Sequence, residues 1–337
     1  MKLQRNVDLK KFNSLAVSAT AEYFVSVDDH NDLLAAVSEG KKKGLAITVL
    51  GGGSNMVLAE SLAGLVIQLN SKGLAVSEQG DEVFVTVQAG ENWHEFVMHC
   101  VQQGYHGLEN LALIPGRVGA AAIQNIGAYG VELSDVLVSL KGLDLISGTW
   151  RELSKGQCLL GYRDSIFKHE LKDCFIISEL CFKLSNNFHA NIAYQSLKHF
   201  FQQHSITQPN AQQVADAVIA IRSAKLPSPD ELPNAGSFFK NPLISLGQCQ
   251  QLLKQYPELV YYPVDEQRVK LAAGWLIEQL GWKGKIHNGV AMHQQQALVL
   301  INHGGSGKDI MAYAQQVKDS VYQHFQVTLE IEPRVYG

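Results

Sequence analysis

The stretch "NAGSFFKNP", Asn234 to Pro242, places one serine, Ser237, after a small glycine turn and before two phenylalanines, a lysine and an asparagine. A hydroxyl in that setting is either an unusual loop or a proton source. A second stretch, "LGGGSN" (Leu50–Asn55), sets three glycines between apolar runs. Converging backbone N–H groups in such a turn cradle phosphate oxygens, with Ser54 and Asn55 as further donors, or the glycines simply form a tight turn. It matches neither the Walker pattern nor the dinucleotide fingerprint. "GGSGKD" at Gly304–Asp309 also fails as a P-loop, because Asp309 stands where a magnesium-binding hydroxyl is required. In "IPGRVGAAAIQNIGAYG" (Ile114–Gly130) small residues alternate with amides. That lining suits a large flat ligand pressed against backbone, with Gln124 and Asn125 for its polar edge. A close helix–sheet crossing would explain the alanines but not the amide pair. In "GYRDSIF" (Gly161–Phe167), Arg163 is either half of a surface ion pair with Asp164 or a guanidinium aimed at a carboxylate. Locally the ion pair is the simpler reading.

These groups need elements to hold them. "EYFVSV" alternates as a strand, and "DDHNDLLAAVSEGKKKG" opens on capping side chains and closes on glycine, as a helix should. "AITVL" and "GLVIQL" read as further strands, completing a unit that ends near Asn70. "VFVTVQAG", "VLVSLKGLDLI" and "FIISELCFKL" predict strands, while "ENWHEFVMHCVQQG" and "AQQVADAVIAIRSAK" predict helices. The proline-rich break "LPSPDELP" (Leu226–Pro233) marks a domain boundary. Beyond it the pattern predicts helices around Gly247–Gln255, Lys270–Leu280 and Ser306–His324, a strand at "ALVLIN", and a closing strand "VTLEIE". The result is an α+β protein in three modest parts.

The chain has 337 residues, a net charge of −4 and no basic run of the kind that nucleic acid recruits. Five widely spaced cysteines contain no C-x-x-C pair, so neither a disulfide framework nor a zinc site is signalled. The twelve histidines lack ligand spacing, and no metal is expected. No apolar run reads as a signal peptide or membrane span, and the expectation is a cytoplasmic protein without membrane insertion.

Taken together, "GGGSN", "IPGRVGAAAIQNIGAYG", "GYRDSIF", "SAKLP" (Ser223–Pro227) and "NAGSFFKNP" resemble, in order and spacing, the UDP-N-acetylenolpyruvoylglucosamine reductases. The resemblance runs from "NSLAV" at Asn13 to "LEIEP" at Leu329–Pro333. It implies an FAD-binding fold of the vanillyl-alcohol-oxidase type in two subdomains, residues 1–70 and 71–225, and an α/β substrate-binding domain over 226–326. The C-terminal strand, 327–337, would pack back on the first subdomain. By the same analogy Gly51, Gly52, Gly53, Ser54 and Asn55 hold the FAD pyrophosphate. Pro115, Gly116, Gly119, Gln124, Asn125, Gly127, Ala128 and Tyr129 would line the flavin and its ribityl chain.

The implied reaction has two halves. NADPH reduces the flavin; flavin N5 then passes hydride to the methylene carbon of an enolpyruvyl UDP-sugar. Arg163 matches the arginine beside the substrate carboxylate, Glu332 its acidic partner, and Ser237 the general acid that protonates the other carbon. A neighbouring cation, Lys225 or Lys240, or a relayed water, would help the serine hydroxyl release its proton. Tyr194 lies in a segment resembling the tyrosine loop of one subclass; Lys225, Asn241, Tyr262 and Gln296 match positions near the diphosphate, sugar or uracil. The chain departs from the family in two places: Pro333 follows Glu332, which leaves Glu330 as an alternative acid, and Ala122 stands where proline is frequent. A flavin oxidase of the same fold and a non-catalytic nucleotide-sugar binder are the competing expectations. A monomer is expected.

Overall fold

A computed structural model describes residues 2–337, which fall into two compact units. The first comprises the chain up to Val7, Ala21–Gly53 and Ala63–Ala224; the second comprises Asp8–Thr20, Ser54–Leu62 and Lys225–Gly337.

In the first unit a four-stranded sheet runs in the order Gln4–Asp8, Thr20–Val27, Leu62–Leu69, Ile47–Leu50, and its last two strands are parallel. Helix His30–Lys42 starts where Asp29 accepts a hydrogen bond from the Asp32 N–H, the expected side-chain cap. It buries Leu33, Ala36 and Val37 beside Val25, Leu65 and Ile67. A five-stranded antiparallel sheet follows, in the order Trp150–Ser154, Leu137–Asp144, Phe175–Ser185, Glu82–Gln88, Leu74–Gln79. Alternation along Glu82–Gln88 sends Val83, Val85 and Val87 into a core shared with helices Trp93–Gln103 and Ala211–Lys225. Trp93, Phe96 and Phe182 meet there at tilted or edge-on angles.

In the second unit an antiparallel sheet runs in the order Asn234–Ser237, Val299–Asn302, Val290–Met292, Ile286–His287. A smaller sheet orders Leu243–Ser245, Arg268–Leu271 and Tyr261–Pro263. Helix Gly307–Phe325 begins on a capping box between Ser306 and Asp309. The chain closes on strand Arg334–Tyr336, parallel to Met56–Leu58.

Two sequence expectations are corrected here. The helix expected over Lys270–Leu280 begins only at Ala273, because Arg268–Leu271 is a strand between two partners. The closing strand expected at "VTLEIE" is reduced to a single bridge, Ile331 with Phe239, and the true terminal strand lies beyond Pro333. Among the described residues no helix is long and apolar enough to cross a membrane, and no group of three or more His, Cys, Asp or Glu could hold a metal ion. All five cysteines are free thiols. Burial pushes the Cys100 thiol up to about 12 and that of Cys158 to about 11.

Candidate active site

Most residues proposed for the flavin lie in the first unit, around two glycine segments; Ser54 and Asn55 belong to the second. A side chain on Gly52 would lie 3.0 Å from the Gly116 Cα, so these segments touch backbone to backbone. Gly53 and Gly116 both have left-handed φ, +63° and +115°, where glycine alone is unstrained. The cradle therefore carries no side chain to shield its N–H groups, which fits a pyrophosphate. Gly119 has a different role: a Cβ there would sit 2.6 Å from that of Ala89, and its N–H donates to Ala89 O at 2.9 Å. It is a packing glycine, buried in the short helix Val118–Ala121. Pro115 and Ala120 are exposed and Gln124 is half-buried; within the second unit Asn55 O accepts from Arg334 N.

Asn125 is fully buried, and its amide is used by the protein. Its Nδ2 donates to Glu132 Oε2 and Gly161 O, and its Oδ1 accepts from Ser134 N. It orders the segment that follows. That segment turns back as a two-stranded ribbon, Gly127–Ala128 with Val131–Glu132. Arg163 Nη2 donates to Gly127 O at 3.0 Å, which joins the catalytic candidate to the flavin segment. Asp164, the ion-pair partner that local sequence suggests for Arg163, pairs with His169 at 2.8 Å. Asn125, Tyr129 and Arg163 all hold left-handed φ near +50°. Such values in non-glycine residues cost of the order of 1 kcal/mol each and concentrate at functional positions.

The tyrosine candidate joins this group. The Tyr129 and Tyr194 rings meet edge-on with centroids 5.4 Å apart. Sequence reasoning missed Arg222, on the helix Ala211–Lys225, whose Nε donates to Leu113 O at 3.3 Å. Burial lowers its pKa, the nearby Arg163 lowers it further, and Tyr129 opposes both. Burial, with Arg222 adding to it, also lowers the pKa of His94, whose Nδ1 accepts from Leu113 N. Two guanidiniums thus make this region attractive to an anion. The available signal was an arginine directly after the apolar run "VIAI" on a helix.

The remaining catalytic candidates belong to the second unit. Asn234, buried, donates through Nδ2 to Pro227 O and Leu232 O, and its Oδ1 accepts from Gly236 N. Gly236 takes φ +69°, and the chain then runs straight between two neighbours. On one side Ser237 pairs with Val299, and Phe238 N donates to Leu298 O at 2.8 Å. On the other side Glu332 N donates to Phe238 O and Lys240 N to Glu330 O, both at 2.9 Å. Phe238 and Phe239 are fully buried and meet edge-on, so they anchor the strand and leave Ser237 half-buried at its edge of the core. Glu332 is half-buried, whereas Glu330 is exposed and paired with Lys240.

The substrate candidates are also in this unit, with Tyr194 excepted. Asn241 Oδ1 accepts from Ala273 N at 3.0 Å, and Gln296 Oε1 lies beside Gly274, so both gather at the start of the helix Ala273–Gln279. Tyr262 is exposed and stands opposite Lys270. Lys225 is exposed at the end of its helix.

Two family models match the chain: an FAD binding domain over residues 21–154, and the C-terminal domain of UDP-N-acetylenolpyruvoylglucosamine reductase over 228–336. An FAD-binding oxidoreductase fold with an added C-terminal domain is the class so defined. Curated proteins named UDP-N-acetylenolpyruvoylglucosamine reductase are similar over nearly the whole chain. That of Pseudomonas putida is 42% identical, covering 99% of this chain and 98% of the relative. That of Paraburkholderia phytofirmans is 45% identical, covering 96% and 95%. The crystal structure of the reductase from Thermus caldophilus shares the fold, with a TM-score of 0.69, 22% identity and full coverage of both chains. The chain belongs to the UDP-N-acetylenolpyruvoylglucosamine reductase family.

Proposed function

We propose that this protein reduces the enolpyruvyl group of UDP-N-acetylenolpyruvoylglucosamine with electrons from NADPH, forming UDP-N-acetylmuramate for peptidoglycan precursors. Bound FAD supplies the two-electron relay between the two substrates. Gly51, Gly52, Gly53 and Gly116 would hold its pyrophosphate by backbone contacts, and the Gly127–Tyr129 ribbon would lie along its flavin end.

Net reduction adds two hydrogens across one carbon–carbon double bond; one arrives with the electron pair, the other as a proton. Ser237 delivers the proton to the carbon bearing the substrate carboxylate, and its hydroxyl is restored from solvent. Charge that grows on that carboxylate during electron transfer is met by Arg163, and stabilising it selectively is what lowers the barrier. Glu332, protonated or sharing a proton with the substrate, would donate a hydrogen bond to that carboxylate. The observation that carries this reading is the register around Phe238: Glu332 N on Phe238 O puts Ser237 and Glu332 on adjoining segments of the chain. The exposure of Glu330 and its pairing with Lys240 favour Glu332 as the acid and turn Lys240 to that partner. Asn241, Gln296, Tyr262, Lys225 and Tyr194 would bind the sugar nucleotide. Free, largely buried thiols suit a reducing cytoplasm, where the protein would act as a monomer.

Colour provides the test. Purified protein should be yellow, bleach anaerobically with NADPH, and regain its colour on adding the enolpyruvyl UDP-sugar. Recovery only with oxygen would identify an oxidase. Absence of flavin, with the sugar nucleotide still bound, would identify a binding protein.

A further inference from the structure

We infer that Asn110 is a positioning residue that seats the Tyr194 segment on the flavin segment. This rests on the role proposed above for Tyr194. Asn110 is only 3% exposed, and its single side-chain NH2 donates to two carbonyls distant in sequence: Tyr129 O at 2.9 Å and Asn191 O at 2.8 Å. Both hydrogens of one buried amide are thereby committed, one to the end of the glycine-rich ribbon and one to the loop that precedes Tyr194.

The same short turn, Glu109–Leu111, is itself braced. Glu109, buried, accepts from Gly107 N at 2.9 Å and lies 3.1 Å from His106 Nδ1. The His106 ring packs edge-on against Phe188, and its backbone pairs in both directions with Ser185. The stretch from Ser185 to Tyr194 is thus tied to residues 106–110 at its start and again at Asn191. Asn110 is the tie that also reaches the ribbon. The Tyr129–Tyr194 edge contact closes the same loop of interactions a few residues further on. Only an amide serves here. Leucine of equal size cannot donate, and ionised aspartate would face two carbonyl oxygens with acceptors alone.

The consequence is specific. Loss of the Asn110 amide frees the Tyr194 segment, so the sugar nucleotide binds more weakly while bond-making groups elsewhere keep their places. In the holoenzyme, Asn110→Asp should raise KM for the UDP-sugar about ten-fold or more, with kcat falling much less, the scale expected for two buried hydrogen bonds. Hydrogen–deuterium exchange across residues 187–193 should quicken by a similar factor, with the five-stranded sheet unaffected. Combined with Tyr194→Ala, the KM effects should fall short of the product of the two single changes, since both act through one segment. Asn110→Ser, smaller and with one donor, should give an intermediate exchange rate and stands in should Asn110→Asp not fold. Unchanged exchange over 187–193, or KM effects that multiply independently, would overturn the inference. An unchanged KM in Tyr194→Ala alone would instead remove the role proposed for Tyr194, and the exchange measurement would still decide what Asn110 holds.

Discussion

The glycine-rich segment Ile114–Gly130 and the segment Asn234–Lys240 both put candidate groups at a glycine turn, yet they are held in place differently. The first depends on small residues, left-handed backbone at Asn125 and Tyr129, and single polar ties such as Arg163 to Gly127 O. The second is fixed by backbone bonds on both sides and by two fully buried phenylalanines beneath. A segment built the first way can press its backbone against a ligand, but each tie is individually replaceable. A segment built the second way has its register set by the sheet, so one side chain keeps its position whatever replaces its neighbours' polar groups.

The largest expected effect is on chemistry borne by the rigid strand. Ser237→Ala should slow reoxidation of reduced flavin by the UDP-sugar by roughly a hundred- to ten-thousand-fold, the range of general-acid contributions, and leave reduction by NADPH nearly intact. Stopped-flow traces of the two halves check this; equal slowing of both would count against Ser237. Next, Phe239→Ala should lower stability by about 3–5 kcal/mol, read from a urea midpoint, because the ring it removes is wholly enclosed. A loss below about 1 kcal/mol would mean that the strand is held by its ladder alone.

On the glycine-rich side, Gly52→Val pushes a branched side chain into the Gly116 backbone. Overpacking on this scale costs about 1–3 kcal/mol, so FAD affinity should fall about ten-fold or more with the fold retained. Flavin absorbance after dialysis decides, and full retention would dissociate the cradle from the cofactor.

A fourth test concerns the hairpin that ends strand Leu137–Asp144. Asp144 accepts from Ser147 N and Ile146 N, both at 2.9 Å, and from Arg151 Nη1 at 2.6 Å; the Ser147 bond above all, then Arg151, hold its pKa down to about 2. A depressed carboxylate stabilises the fold above its unfolded pKa, near 4, and that contribution is lost as pH falls through about 2. Asp144→Asn should therefore lower Tm at neutral pH, and its gap from wild type should close between pH 4 and pH 2. A gap constant with pH would assign the loss to packing. The smallest effect is expected at Glu330→Gln. An exposed partner of Lys240 contributes less than about 1 kcal/mol, and turnover should stay near wild type. A large loss of turnover there would move the acid role from Glu332 to Glu330.

Helices were the most legible part of this fold. Asp29 before His30–Lys42, Asn92 before Trp93–Gln103 and Ser306 before Gly307–Phe325 are local caps, and their hydrogen bonds form within four residues. The strand between Leu243–Ser245 and Tyr261–Pro263 was not legible, because "RVKL" has helical neighbours in sequence and its two partners lie elsewhere in the chain. Motif residues were found, but what each does was not always visible. Gly119 reads like its neighbours yet packs against Ala89, and the Asn125 amide, read as a ligand donor, bonds Glu132, Gly161 and Ser134. Asn110 and Arg222 escaped notice because neither stands in a run of small or polar residues.

The sequence by itself determined most of the longer helices and their side-chain caps, the glycine-rich turns and the family motifs, since each depends on side chains within a few positions of one another. Only the tertiary structure decided which glycines face a cradle and which face a core, that Glu332 rather than Glu330 is the sheltered carboxylate, and that Arg163 donates to Gly127 O while Asp164 pairs with His169. Those outcomes depend on partners tens or hundreds of residues away, and burial changes the value of a hydrogen bond or charge in ways that no local spacing encodes.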